Sequence, residues 1–288
     1  MRRRAFLGAV GMAALAGCSN GTDSSTPTPT PTATTTSTGS GTPEFEFLGV
    51  SMPDTVQLNM PTAFELAVRN VGSAEGTFTS PLEDRMGDGE WRRIGEIDMT
   101  LAAGETGRWQ SPRFTPRYLT TLHYRLTAVD ETWSMKVVPK QLDFGNYYAT
   151  PTGLYLNALG GTFETEYPTP DERTATNGTA TAEPTRTPTA PDDDGNVWLV
   201  MRLDVRNRLE ESQSTPAAEE FVLEVDGERR SLHQEVAEDP YEGGPLAGQT
   251  ARRGELIYAV PEGTQARDLT LSWGHSYEGG DVRAVWTK

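Results

Sequence analysis

A single cysteine, Cys18, closes the run Leu15-Ala16-Gly17-Cys18 behind an apolar stretch headed by Arg2-Arg3-Arg4. A positive head, an apolar region of roughly a dozen residues from Ala5 to Ala16, and small residues before a cut are the parts of an export signal. A bilayer span needs about 20 apolar residues, so this stretch is too short to be a transmembrane helix. The arrangement reads as an export signal ending in a lipid attachment site at Cys18, which would fasten the chain to the outer face of a membrane. An ordinary signal peptide with an incidental cysteine is the plainer alternative. With no second cysteine there can be no intramolecular disulfide.

Two other groups of residues could do chemistry. Asp192-Asp193-Asp194, followed by Gly195-Asn196, gathers hard oxygen ligands of the kind Ca²⁺ takes six to eight at a time. The run lacks the alternating ligand spacing and distal Glu of an EF-hand, and a hydrated linker end would look the same. Trp273, His275 and Tyr277 crowd a glycine-rich turn that runs on to Asp281. Aromatic faces flanked by carboxylates suit a sugar or peptide groove, and a hairpin with Trp273 packed in the core is the plainer reading. The three histidines, His123, His233 and His275, sit in separate segments without metal-ligand spacing. No Gly-x-Ser-x-Gly elbow or Walker-type loop occurs, a lipidated Cys18 cannot act as a catalytic thiol, and no catalytic residue or cofactor other than Ca²⁺ is singled out.

Charge narrows the partners. The 288 residues carry a formal charge of −16, which becomes −19 once Arg2, Arg3 and Arg4 leave with the signal. Such a field repels nucleic acid and anionic headgroups. Lysine is confined to Lys136, Lys140 and Lys288, against 41 Asp plus Glu. A dense carboxylate surface keeps a protein hydrated where high salt shrinks the Debye length to about 3 Å. An acidic protein from a GC-rich bacterium would share the bias.

These residues must be carried by folded elements, and the sequence separates them clearly from linkers. Residues 19–43 hold ten threonines, five serines and four prolines with almost nothing apolar, so they cannot offset the entropy of ordering and should form a disordered tether. Asn20-Gly21-Thr22 and Asn177-Gly178-Thr179 are glycosylation sequons. From Phe45 onward the pattern alternates with period two, as in Phe64, Leu66 and Val68 before Asn70-Val71-Gly72. Strands are expected at Val56–Leu58, Gly76–Thr79, Trp91–Ile97, Thr106–Ser111, Leu122–Val129 and Trp133–Val138, then at Gly153–Leu156, Gly161–Tyr167, Asn196–Asn207, Phe221–Val225, Arg229–Leu232, Glu255–Val260, Leu269–Trp273 and Val282–Trp286. Many short strands without a long amphipathic helix indicate antiparallel β-sandwiches. The expected organisation is a signal at 1–17, a lipidated tether at 18–43, one sandwich at 44–139 and a second at 140–288. The second is interrupted by a disordered insert at 168–195, across which its flanking strands must pair. An internal echo runs through both: Leu66-Ala67-Val68-Arg69-Asn70 and Leu203-Asp204-Val205-Arg206-Asn207 are each followed by a Leu…Gly-polar-Thr corner, in which glycine should supply the positive φ.

Several of these motifs resemble known families. Arg3-Arg4-Ala5-Phe6-Leu7 looks like the core of a twin-arginine signal, whose machinery exports folded proteins, and Leu15-Ala16-Gly17-Cys18 looks like a lipobox. The acidic bias resembles secreted proteins of salt-loving archaea. The first sandwich is similar to the CARDB modules of bacterial and archaeal cell surfaces, and the second to the telokin-like, immunoglobulin-type domains of many lipoproteins, with Val260-Pro261 also matching. The resemblance implies an all-β, tandem immunoglobulin-like lipoprotein on the extracytoplasmic face of the cell membrane. It implies a non-enzymatic binding or assembly module for an envelope protein or glycan, with a solute-binding or accessory subunit as the alternative and a secreted hydrolase behind that.

Overall fold

The computed structural model describes residues 41–167, 189–191 and 195–288. The signal, Cys18, the tether, both sequons and Asp192, Asp193 and Asp194 lie outside the described residues. The fold is all-β. Two pairs of sheets, each closing over apolar side chains that alternate along their strands, account for it.

In the first half, β1 (Phe45–Ser51), β3 (Glu65–Asn70) and β6 (Thr106–Gln110) form one sheet in the order β1-β3-β6. Against it lies a five-stranded sheet of β2 (Thr55–Gln57), β8 (Glu131–Val138), β7 (Thr121–Leu126), β4 (Gly76–Met86) and β5 (Arg92–Leu101), in the order β2-β8-β7-β4-β5. Leu66, Val68, Ile97, Leu126 and Met135 are buried between them, and rings meet across the gap, Phe45 with Phe78 and Phe64 with Tyr124. Each strand thus turns one face inward, which is what its period-two pattern demands.

The second half repeats this plan. Strands β10 (Tyr147–Ala149), β11 (Leu154–Glu164), β12 (Asn196–Asn207) and β17 (Ala251–Pro261) form one sheet in chain order. The other contains β15 (Glu228–Arg229), β14 (Phe221–Val225), β18 (Leu269–Tyr277), β19 (Gly280–Thr287) and β9 (Lys140–Asp143), in that order. A ribbon of β13 (Gln213–Thr215) and β16 (Gly244–Leu246) and two short 3₁₀ turns, Ala218–Glu220 and Ala266–Asp268, complete it. The sheet β2-β8-β7-β4-β5 matches β9-β19-β18-β14-β15 strand for strand, and β1-β3-β6 matches β11-β12-β17. In both halves a short early strand, β2 or β9, runs parallel to the last strand. Apart from that edge pairing the sheets are antiparallel, as expected.

The internal echo has a physical cause. Buried Asn70 donates from Nδ2 to the carbonyls of Ala74 (2.8 Å) and Leu101 (2.9 Å), and its Oδ1 accepts from Gly72 N (3.0 Å). Asn207 donates to Glu211 O (2.7 Å) and Leu246 O (3.1 Å) and accepts from Leu209 N (3.0 Å). One amide thus ties a strand end to two turns in each half. The expected glycine rule holds only in the first: Gly104 takes φ +79°, whereas in the second Gln249 takes φ +58°. Gly248 is needed there for space instead, because a Cβ would stand 2.0 Å from Glu210 O.

Strands β11 and β12 pair antiparallel from Leu154↔Asn207 to Glu164↔Trp198, across the Thr/Pro-rich stretch that separates them in sequence. The two short strands expected at Gly153–Leu156 and Gly161–Tyr167 are a single strand with a bulge at Leu159. The halves touch where Tyr118 lies on the β18–β19 hairpin. A Cβ on Gly279 would come within 2.5 Å of the Tyr118 ring, and Leu119 N donates to Asp281 O at 2.7 Å.

Candidate functional site

The first half carries a cleft of about 620 Å³ at the open end of its sandwich. It exists because β4 outruns the sheet facing it. The strand expected to stop at Thr79, before Ser80-Pro81, continues to Met86. Pro81 is tolerated because it lies just beyond the ladder to β7, which begins at Leu82, and the Ser80 hydroxyl accepts from Ala128 N (3.2 Å) where that ladder ends.

The β4 overhang places Leu82, Asp84 and Met86 on the inner face with no strand opposite, and β7 adds Leu122 and Tyr124. The connection from Ser111 to Thr120 crosses over this floor. It is pinned by Phe64 N to Ser111 Oγ (3.0 Å), by reciprocal backbone bonds between Thr62 and Phe114, and by Asn59 N to Pro116 O (2.9 Å).

The wall is aromatic. Phe64 packs 4.8 Å from Tyr124 and 6.0 Å from Trp109, and Phe114 lies 6.1 Å from Tyr124. Burial, and then the charge of Asp84, push the Tyr124 phenol well above its ordinary range, so it stays neutral. Met86 and Ile94, 53% and 44% exposed, form an apolar rim. The one carboxylate deep in the wall is already occupied: Arg92 holds Asp84 in a two-pronged pair at 3.2 and 3.1 Å. The geometry therefore offers apolar contact in a largely preformed space of ligand size.

Trp273, His275 and Tyr277 are placed on β18 rather than in a loop, on one face by their spacing of two. Trp273 is buried, with its indole nitrogen donating to Glu220 (3.2 Å). His275 stacks on Trp273 at 6.0 Å, lies 4.6 Å from Tyr277 and reaches the same Glu220 carboxylate at 3.1 Å. Tyr277 is raised by burial, against the pull of hydroxyls from Thr152 and Thr150. The strip thus stands beside the junction of the halves, with Tyr148 against Trp273 (5.9 Å), and presents His275 to solvent. His123 sits on β7 opposite Ser134, and His233 packs edge-on to Trp198 (5.3 Å), so neither joins it. Among the described residues no three His, Cys, Asp or Glu side chains converge as a metal would require.

The residues around the cleft escaped sequence reasoning. Alternation continues through Leu82, Asp84 and Met86, but Ser80-Pro81 reads as a stop, and the crossing connection has no periodic signal at all.

No family model matches this chain, and no curated protein is similar to it. Among solved structures, a β-sandwich protein from Clostridium difficile is 12% identical over 52% of this chain and 94% of its own, with a TM-score of 0.31. The YjhA protein of Bacillus subtilis is 17% identical over 50% of this chain and 97% of its own, with a TM-score of 0.35. A candidate lipoprotein, YcdA, from the same organism is 12% identical over 49% of this chain and 38% of its own, at 0.31. A β-glucosidase from Listeria innocua matches 33% of this chain, which spans only 16% of that enzyme. Likenesses this loose carry no functional information.

Proposed function

We propose that this chain is a non-enzymatic binding module, exported by the twin-arginine route and held by a lipid on Cys18 at the extracytoplasmic face of the cell membrane. Its first-half cleft takes an apolar group presented by an envelope partner. The observation that carries the reading is the aromatic cleft, roomy enough for a small ligand or a few side chains and lined by apolar groups, with Asp84 tied to Arg92. A carboxylate so engaged is a poor general base or nucleophile, which supports binding over hydrolysis. The neighbouring edge strand β5 is a poorer docking surface. It carries Arg92, Arg93, Glu96 and Asp98 and bulges at Ile94, the devices that discourage strand pairing.

The test uses 1-anilinonaphthalene-8-sulfonate as an apolar probe. The folded protein should bind it saturably at one site, and Met86→Glu combined with Ile94→Glu should weaken that binding at least tenfold while leaving the melting temperature nearly unchanged, because both side chains sit on the rim. Binding that is unsaturable, or unaffected by the rim variant, would refute the cleft as the site. The anchor is tested separately: Cys18→Ser should release the protein to the medium or leave an unprocessed precursor. Full membrane retention of a processed Cys18→Ser chain would refute lipidation.

A further inference from the structure

We propose that the outer face of the β10-β11-β12-β17 sheet is a second binding site, for an extended acidic polysaccharide. Register carries side chains across four strands. Tyr147, Asn157, Asp204 and Arg253 are successive partners in one row, Tyr155 and Arg206 are partners in the next, and Arg202 faces Glu255 in a third. The alternation Arg202, Asp204, Arg206 puts these groups on the face opposite the buried Leu203 and Val205. Arg208 joins them by lying over the Tyr155 ring at 4.4 Å, as Arg206 lies over Tyr147 at 5.1 Å.

The cations are built in. Asp204 is 3% exposed, and its Oδ2 accepts from Tyr147 Oη (2.9 Å) and from Arg206 Nε and Nη2 (3.1 and 2.7 Å), with Arg253 Nε at 3.8 Å. Its other oxygen is buried without a partner, as is Oδ1 of Asn157 beside it in the row. A buried carboxylate and two tyrosine faces thus fix the guanidinium planes while Arg202, Arg253 and Arg208 stay exposed. Among the described residues the ion pairs of Arg202, Arg206 and Arg253 here are to Glu255 and Asp204, Glu255 also accepts from Tyr167 Oη, and Arg208 rests on Tyr155, on a chain whose total charge is −16. Like charges concentrated against the trend of the whole molecule repel one another unless an anion joins them.

The spacing selects the ligand. Arg202 and Arg206 are four residues apart on one strand, about 13 Å, too far for one carboxylate or phosphate and suited to a chain with repeated anions. Arginine forks pair with carboxylate or sulfate in two-pronged fashion. Single-stranded nucleic acid would want free aromatic faces for its bases, and here a guanidinium covers each ring. A uronate-type glycan needs only the outward N–H edges. The inference extends the binding-module reading to a second surface and does not depend on the cleft.

The mature full-length chain should be titrated with polygalacturonate, with neutral dextran and duplex DNA alongside, by calorimetry at about 0.1 M salt. Polygalacturonate should bind at least tenfold more tightly than either control and weaken as salt rises. Arg202→Gln, Arg208→Gln and Arg253→Gln together should reduce binding at least tenfold with the melting temperature held, whereas the Met86→Glu/Ile94→Glu rim variant should bind normally. Equal binding of dextran or DNA, or undiminished binding by a folded triple variant, would overturn the proposal.

Discussion

Asn70 and Asn207 show how much a single side chain can carry. Each buries an amide that satisfies two or more backbone groups of a corner without a regular ladder. Removing the donor strands buried carbonyls, each costing about 1–3 kcal/mol. Asn70→Ala should therefore lower stability by about 2–4 kcal/mol in urea unfolding, and a loss below about 0.5 kcal/mol, the size of an ordinary surface substitution, would mean the corner stands without it. Asp204 gives a pH signature. Burial pushes its carboxyl up, but the hydrogen bonds from Arg206 and Tyr147 and the charges of Arg206 and Arg253 outweigh that and hold it below its ordinary value. A folded value below the unfolded one, about 3.9, adds stability that is fully present above pH 4 and fades as pH falls through the folded value. The wild type should be more stable than Asp204→Asn at pH 6, with the gap closing in acid. A gap that persists or widens in acid would contradict this electrostatic account.

At the scale of elements, β11 and β12 decide what the second half is. Their eleven-residue and twelve-residue strands are joined through a segment in which, among the described residues, Tyr167 and Thr189 bridge. Because ladder bonds and buried Leu154, Leu156 and Ala158 hold β11 in the sheet, a chain cut between residues 168 and 188 should stay one body. Limited proteolysis followed by native size exclusion would show both pieces co-eluting, whereas their separation would make β11 dispensable. Much of this was legible beforehand. The apolar period of Val197, Leu199, Met201, Leu203 and Val205 marks β12 from end to end, and Asp226-Gly227 marks the β14–β15 hairpin, where both residues take positive φ. The complementary pattern on the same strand, Arg202, Asp204 and Arg206, carried on to Arg208 just past its end, was equally visible. Its meaning depends on Tyr147, Tyr155 and Arg253, which only sheet register brings beside it. The lengths of β4, β11 and β18 were underestimated for a different reason, since Pro81, Gly160 and Gly274 resemble stops when their partners are unseen.

Over the whole molecule, net charge and the cleft call for separate tests. If the 41 carboxylates are an adaptation to salt, dilution to about 0.1 M lengthens screening to about 10 Å and lets charged faces repel. The melting temperature should fall relative to molar potassium chloride, and an unchanged value would count against halophily. The cleft was not legible, because it arises from the overhang of one sheet past another and from a connection without periodicity. Its occupancy is the central claim, and the three isoleucines report on it directly: Ile94 stands on the rim, Ile97 is fully buried three residues along the same strand, and Ile257 lies in a separate cluster on the second half. The most direct measurement is methyl NMR of the isoleucine-labelled protein titrated with octyl glucoside below its micelle concentration. The account predicts a saturable shift of the Ile94 methyl with Ile257 unmoved. A stationary Ile94, or equal shifts at Ile94 and Ile257, would contradict it.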